Sequence, residues 1–412
     1  MEITYADNNA TTRVAPEVLE ALLPYLQDDY FNPSSMYEAA RSAAAAVDAA
    51  RRSLARNLGG VAPREILFTS CATESNNTAI LGCAKARPER RHIITTRVEH
   101  PAVLTVCQAL EREGYELSWI GVDRSGRIDV GQYVRALRPD TLLVTVMHAN
   151  NETGVIFPIE QLSRLAKETD PEILFHTDAT QTAGKLPLDL KRALPHVDLL
   201  SFSGHKIHAP KGIGALFIRR GTPCKPLLLG GHQEEGRRGG TENVAFVVGL
   251  ARALEVAAAR HEEEARRITA LRDRLEAALL ERIPFARVNG AGAERLGNTL
   301  NLSCHFIEGE GMLYQLSAHG ICASSGSACT SGSLEPSHVL KAMGVPFTAM
   351  HGSVRFSFSR YNSERDVERI TEVFPGIVAS LRRLSPYWDQ KLDRPRDEAL
   401  AMLEQGDAVD SP

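Results

Sequence analysis

Between about residues 65 and 220 the chain alternates two hydrophobic patterns. Short, nearly continuous apolar runs fall at 65–70, 92–96, 116–121, 141–147, 173–177, 197–203 and 214–219. Runs of that length bounded by polar turns predict buried strands. Between them, apolar residues recur every three or four positions at 74–86, 102–113, 131–137 and 159–168, which predicts helices packed by one face. Strands alternating with helices predict an α/β fold, a large domain with a mainly parallel seven-stranded sheet covered on both sides. In such sheets ligands collect beyond the carboxyl ends of the strands. Thr73, His100, Asn151, Asp178 and Lys206 all follow such ends.

The flanks read differently. After a short polar lead of thirteen residues, a helix is expected near Pro16 with Val18, Leu19, Leu22, Leu23 and Leu26 on one face. An alanine-rich helix is expected over 35–58, stopped by Gly59-Gly60. A long helical stretch over 241–282, apolar in its first half and charged in its second, predicts a link between two domains. Beyond it, strands at 298–303 and 353–359 and helices at 311–319 and 363–384 predict a smaller α+β domain. The expected division is 14–255 for the large domain, 1–13 with 256–385 for the small one, and a loose tail over 386–412.

Composition narrows the class. The 412 residues are 43% hydrophobic and 24% charged with a net charge of −4, ordinary for a globular protein and giving no sign of nucleic-acid or anionic-membrane binding. The start, Met-Glu-Ile-Thr-Tyr-Ala-Asp, lacks a secretory pattern, and no apolar stretch reaches the roughly 18 residues of a membrane span, so a cytoplasmic location is expected. Seven scattered cysteines without a C-x-x-C pair argue against a disulfide framework or an intrinsic metal site.

Lysine is scarce, nine against thirty-eight arginines, so each can be weighed. Lys206 ends Ser203-Gly-His-Lys after an apolar run, and Asp178 ends another. Lys211, in a Pro-Lys-Gly turn, is the competing amine. An amine and a carboxylate at neighbouring strand ends are what pyridoxal 5'-phosphate requires: one binds the aldehyde, the other keeps the ring nitrogen protonated. Gln181 could reach the ring oxygen, although Asp178 could equally be a helix cap. The turn before Ala72 and Thr73 opens a helix and suits a phosphate, with Ser203 and His205 as further donors. Thr241, in Gly239-Gly-Thr, is another phosphate candidate.

His100 could stack on the ring and move protons, or be structural. Asn151 lies in a turn that could serve cofactor and substrate or simply turn. Arg355, inward on a strand, needs an anionic partner, either a substrate carboxylate or a structural acid. Cys329 sits within Ser324-Ser-Gly-Ser-Ala-Cys-Thr-Ser-Gly-Ser, almost without apolar neighbours. A thiol on a polar loop is prone to oxidation and is expected to be used.

Together these motifs resemble the cysteine desulfurases of the class V, fold-type I pyridoxal phosphate-dependent transferases, and are most similar to the nitrogen-fixation (NifS-like) type. The similarity runs from Tyr5-Ala-Asp-Asn-Asn-Ala-Thr-Thr to Leu384-Ser-Pro-Tyr-Trp. It includes Asn32-Pro-Ser-Ser, Glu99-His-Pro-Ala-Val-Leu, Ser203-Gly-His-Lys, the serine-rich stretch continuing to Val339, and Gly230-Gly-His-Gln-Glu followed by Arg237-Arg-Gly-Gly-Thr-Glu-Asn. Tyr37, Ala40 and Cys71 depart from the usual His, Gly and Gly.

The resemblance implies a homodimer that takes L-cysteine and leaves alanine and a persulfide on Cys329. The sulfur would pass to an iron–sulfur scaffold protein, with Cys329 also a transient cluster ligand. It implies Lys206 as the covalent anchor of the cofactor, His100 stacked on the ring, and Asp178 with Gln181 holding it. Ala72, Thr73, Ser203 and His205 would bind the phosphate, and Thr241 would reach the partner's phosphate. Asn151 and Arg355, with Asn32, would bind the substrate carboxylate. Selenocysteine lyase or cysteine-sulfinate chemistry and a non-catalytic partner-binding scaffold are the alternatives; the presence of both Lys206 and Cys329 argues against the scaffold.

Overall fold

A computed structural model describes residues 2–307, 309–325 and 336–401. A short strand β1 (Thr4–Tyr5) is followed by helices α1 (Pro16–Leu22), α2 (Pro24–Gln27) and α3 (Ala40–Asn57). The alternating region then supplies β2 (Ile66–Thr69), α4 (Ala72–Ala86), β3 (His92–Thr96), α5 (Pro101–Arg112), β4 (Glu116–Ile120), α6 (Val130–Ala136), β5 (Thr141–Thr145), α7 (Ile159–Thr169), β6 (Leu174–Asp178), β7 (Leu199–Ser203) and β8 (Gly214–Ile218). The seven strands β2 to β8 form one sheet in the order β2-β8-β7-β6-β5-β3-β4. Only β8 runs against its neighbours, β2 and β7. The carboxyl ends of the other six strands therefore share one edge, which gathers residues that are far apart in sequence.

The 39-residue helix α8 (Val244–Arg282) leads to β9 (Ala286–Val288), β10 (Thr299–Cys304), α9 (Gly309–Ala318), β11 (Ile321–Cys322), α10 (His338–Ala342), α11 (Phe347–Met350), β12 (Ser353–Ser357) and α12 (Glu364–Leu384). A second sheet runs β12-β10-β9, antiparallel throughout. The chain's start belongs beside it: β1 pairs in parallel with β11, with Thr4 opposite Ile321. Ala6 is buried with Leu275, Leu279, Leu300, Phe356 and Phe374 in the smaller core. Helix α8 serves two cores, with Val247, Leu250 and Leu254 in the larger and Leu271, Leu275 and Leu279 in the smaller. Val339, Leu340 and Met343 pack into the larger core although the chain around them builds the smaller.

Three expectations need correction. The leucine face near Pro16 is broken: Val18 and Leu22 are buried, but Leu19, Leu23 and Leu26 are exposed, because the chain restarts as a four-residue helix at Pro24. The alanine-rich helix begins at Ala40, five positions late, after a turn in which Ser34 N–H donates to Asn32 Oδ1 at 2.9 Å. It does stop at the glycine pair, where Gly59 takes φ +89° and a Cβ would lie 2.9 Å from Asp189 Cα. The tail expected to be loose is held as far as Ala399. There Trp388 lies 6.3 Å from the Phe306 ring, donates to Asp393 Oδ1 at 3.1 Å, and has the Arg382 guanidinium 5.0 Å from its ring. One aromatic anchor outweighs the polar composition around it. Among the described residues, no helix is long and apolar enough to cross a membrane.

Candidate active site

Beyond the carboxyl edge of the large sheet lies a cavity of about 340 Å³ lined by Ala72, Thr73, His100, Asn151, Asp178, Gln181, Ser203, His205, Lys206 and Arg355. Ten sequence candidates thus meet in one place. Thr241 and Asn32 do not line it; both are exposed. The Asn32 carboxamide serves its own turn instead. Cys329 lies outside the described residues.

Lys206 closes a 3₁₀ turn after β7, where Gly204 allows the tight fold: a Cβ there would lie 2.9 Å from Ile213 Cγ2. Its Nζ donates to the backbone oxygens of Asn9 and Ala10, the latter at 2.7 Å. Asp178 ends β6 and is 6% exposed. Its carboxylate accepts from Asn76 Nδ2 at 2.7 Å and from Thr180 N–H at 2.9 Å, so one oxygen is fixed by α4 and the other by its own turn. The helix-cap reading of Asp178 is thereby limited to a local turn bond. Gln181 Nε2 donates to Asn9 O at 3.1 Å, and its Oε1 accepts from Lys185 Nζ at 3.1 Å.

His100 caps α5, its Nδ1 accepting from Ala102 N–H at 3.1 Å. Burial lowers its pKa, opposed by Asp178 and reinforced by Lys206 and His338. The ring is thus held neutral, with Nδ1 engaged as an acceptor and Nε2 left as a donor. His205 Nδ1 contacts Thr11 Oγ1 at 3.1 Å, and burial, with Lys206 and Lys211, lowers its pKa to about 4.

Arg355, on β12, is 3% exposed and reaches the cavity from the smaller core. It donates to Asp7 Oδ1 and to Asn151 O, both at 2.9 Å, so the structural acid that its burial demanded exists. Its Nε has no partner among the described residues. The bland and the functional readings are therefore compatible: Asp7 positions the guanidinium, and the cavity can still present it with a carboxylate.

The donor set fits an aromatic phosphate. Helix α4 starts at Ala72 with no side chain capping it, so its first N–H groups and its dipole face the cavity end. The buried Ser203 Oγ and Thr180 Oγ1, also lining the cavity, have no partner among the described residues. Gly214 lets β8 press close behind, since a Cβ would lie 2.8 Å from the Cys71 carbonyl carbon. With an amine, a fixed carboxylate and a neutral imidazole, the cavity can bind an aldehyde covalently, hold a ring nitrogen protonated and shuttle a proton.

Sequence reasoning missed Asn9. Its oxygen accepts from both Lys206 and Gln181, and its Nδ2 donates to Thr299 Oγ1 at 2.9 Å and to Asn151 O at 3.2 Å. The signal was the run Asp7-Asn-Asn-Ala-Thr-Thr, read as a polar lead, in which Asn8, Asn9 and Thr12 are buried. Glu99 was also missed. It is fully buried, accepts from Met147 N–H at 3.0 Å and Thr96 Oγ1 at 2.7 Å, and is pushed up to about 8 by burial. It braces the turn that presents His100. Both ends of the serine-rich stretch are anchored near the cavity: Ser324 exchanges backbone bonds with Arg355, and Ser337 Oγ donates to the buried Glu152 at 2.5 Å.

Comparison with known proteins agrees with this geometry. The family model described as aminotransferase class-V matches residues 4–370. A protein of Trichormus azollae named cysteine desulfurase is 54% identical over 387 residues, 94% of this chain and 96% of that one. The cysteine desulfurase NifS of Azotobacter vinelandii is 53% identical, covering 94% and 96%. A solved structure titled NifS-like protein superposes with a TM-score of 0.87 at 39% identity, covering 92% of this chain and all of the other.

Proposed function

The chain belongs to the aminotransferase class-V family, and from that premise we propose that it is a pyridoxal phosphate-dependent cysteine desulfurase that moves sulfur from L-cysteine to Cys329. The observation that carries the reading is the convergence of Lys206, just after β7, Asp178, at the end of β6, and Arg355, on β12, on one cavity beside an uncapped helix start.

Bound there, pyridoxal phosphate would supply an aldehyde that condenses with amines and a ring that draws electrons from the substrate's α-carbon. Ala72, Thr73, Ser203 and His205 would hold its phosphate, and Asp178 would hold a proton on its ring nitrogen. Gln181 would donate to the ring oxygen and His100 would stack on the ring. Arg355 and Asn151 would orient the substrate carboxylate, and the Lys206 amine would move a proton at the substrate's α-carbon. The Cys329 thiolate then attacks the substrate sulfur: an S–S bond forms, the C–S bond breaks, and its electron pair leaves with carbon. That carbon takes a proton and departs as alanine, leaving a persulfide on Cys329. The sulfur next passes to an iron–sulfur scaffold protein, in the nitrogen-fixation role suggested by the NifS relatives.

We assign the exposed Thr241 to the phosphate of a second copy, since it lies off its own cavity. Exposed Leu19, Leu23, Leu26, Tyr30 and Leu229 supply apolar surface for that copy. We keep the division into a large domain at 14–255 and a small one, with 339–350 seated on the larger core.

The test is incubation with L-cysteine and a reductant, scoring alanine and sulfide together. Cys329→Ala is expected to keep the colour of the bound cofactor and to lose both products. Full turnover by that variant, especially on selenocysteine, would move the assignment to a lyase that needs no loop thiol.

A further inference from the structure

A second cavity, of about 280 Å³, lies behind Lys206 at the seam between the two cores. Its wall combines basic side chains, Lys185 and Arg360, with apolar ones, Leu186, Ile268 and Phe358. We propose that it is a second ligand site, taking a short aliphatic carboxylate with its head on Lys185 and Arg360 and its chain along Leu186, Ile268 and Phe358. Apart from Lys206, which borders both cavities, no residue assigned a role in the desulfurase reading lines it.

Charge is the first reason. The Arg360 side chain is 8% exposed and pairs through Nη2 with Glu264, also on the wall, at 3.4 Å. Its Nε and Nη1 have no hydrogen-bond partner among the described residues. Buried guanidinium donors without partners are costly, and an anion would satisfy them. The other acids and bases around the wall leave that need unmet. Glu294 is exposed, and Arg295 is occupied by Glu276 at 3.0 Å. His208 is kept neutral, its pKa lowered to about 4 by burial and then by Arg360. Lys185 is lowered to about 7 by burial and by the nearby Lys206 and Arg355, so cations crowd this seam.

Shape and polarity choose the ligand class. Sites of this kind are mostly apolar with a few polar groups that fix orientation, and this one is small for the class. An inorganic ion would leave Leu186, Ile268 and Phe358 facing water; an uncharged chain would bring no charge to the side of Arg360 that Glu264 leaves open. A carboxylate on a short hydrocarbon satisfies both.

Hydrogen bonds join this cavity to the first. Lys185 donates to Gln181 Oε1, Gln181 Nε2 donates to Asn9 O, and Asn298 Nδ2, on the second cavity's wall, donates to Asn9 Oδ1 at 2.9 Å. Asn9 also accepts from Lys206. A ligand that draws on Lys185 therefore bears on the residues that place Gln181 and Lys206, which couples the two sites.

The test is calorimetric titration of the full-length, cofactor-loaded protein with pentanoate, against pentanol and sodium chloride as controls. It is run in wild type and in Arg355→Gln, which removes carboxylate binding at the first cavity. In the Arg355→Gln background pentanoate is expected to bind still, with a shift of the visible cofactor band, whereas pentanol binds at least about tenfold more weakly. Adding Arg360→Gln, or separately Leu186→Trp to fill the cavity, should weaken pentanoate at least about tenfold in variants whose circular dichroism is unchanged. Equal binding of pentanol, survival of binding in both variants, or loss of all binding with Arg355→Gln alone overturns the proposal. The calorimetric signal does not require turnover, so it fails or stands separately from the desulfurase reading.

Discussion

Two side chains beside the active cavity do their work without facing the substrate. Lys185 fixes the direction of the Gln181 carboxamide: its Nζ donates to Oε1 at 3.1 Å, so the NH₂ faces Asn9 and the cavity. Lys185→Met frees the amide to rotate. Cofactor affinity should fall about tenfold, the equivalent of one hydrogen bond, and the pH midpoint of the visible band should move. An unchanged midpoint would show that Lys185 acts only by packing. Glu99 gives a pH signature. Its folded pKa, about 8, lies above the ordinary carboxylate value, so the stability it contributes is complete below about pH 4.5 and drains away as pH rises through 8. Urea unfolding at pH 5 and pH 9 should therefore show a smaller loss across that interval in Glu99→Gln than in wild type. Legibility at this scale followed chemistry. Lys206, Asp178 and His100 could be read because side chains of those types stand at strand ends. Asn9 could not, because it acts on Lys206 through a carbonyl oxygen that every residue has, across 197 positions.

Among the elements, the seven sheet strands were legible to within one or two residues at most ends, because continuous apolar runs bounded by turns leave few alternatives. The start of α3 was not, since alanine suits helix and helical turn alike and nothing caps Ala39. Nor was the approach of β8 to α4, which depends on an absent atom. Gly214→Ala would put a methyl 2.8 Å from both the Cys71 carbonyl carbon and the Phe202 oxygen, neither of which can yield as a side chain would. The substitution should cost ~1–3 kcal/mol of stability, as overpacking does. It should also displace the N–H groups of Ala72 and Thr73, weakening pyridoxal phosphate more than it weakens phosphate-free pyridoxal. Equal weakening of the two would mean that α4 had not moved.

For the molecule as a whole, five imidazoles, those of His92, His148, His176, His205 and His208, are each lowered to about 4, chiefly by burial. Their unfolded counterparts titrate near 6.5, so the stability they contribute is complete above that value and is lost as pH falls toward 4. The urea midpoint should drop steeply between pH 6.5 and 4.5, and a flat profile there would contradict the burial of these rings. The seam between the cores is the part of the molecule that sequence periodicity could least describe, because patterns along a chain report which face is buried, not which distant segment covers it. It is also where both cavities lie. The pairing of β1 with β11 has a further consequence for synthesis on the ribosome. The first residues made must wait for Ile321 before they acquire a partner, and the larger core lacks a wall until Leu254 has emerged. The buried face around Leu67, Ile80, Val103 and Leu216 can close earlier, but the face covered by α8 cannot, so in nascent chains shorter than about 260 residues that second face should remain protease-sensitive and depend on chaperones.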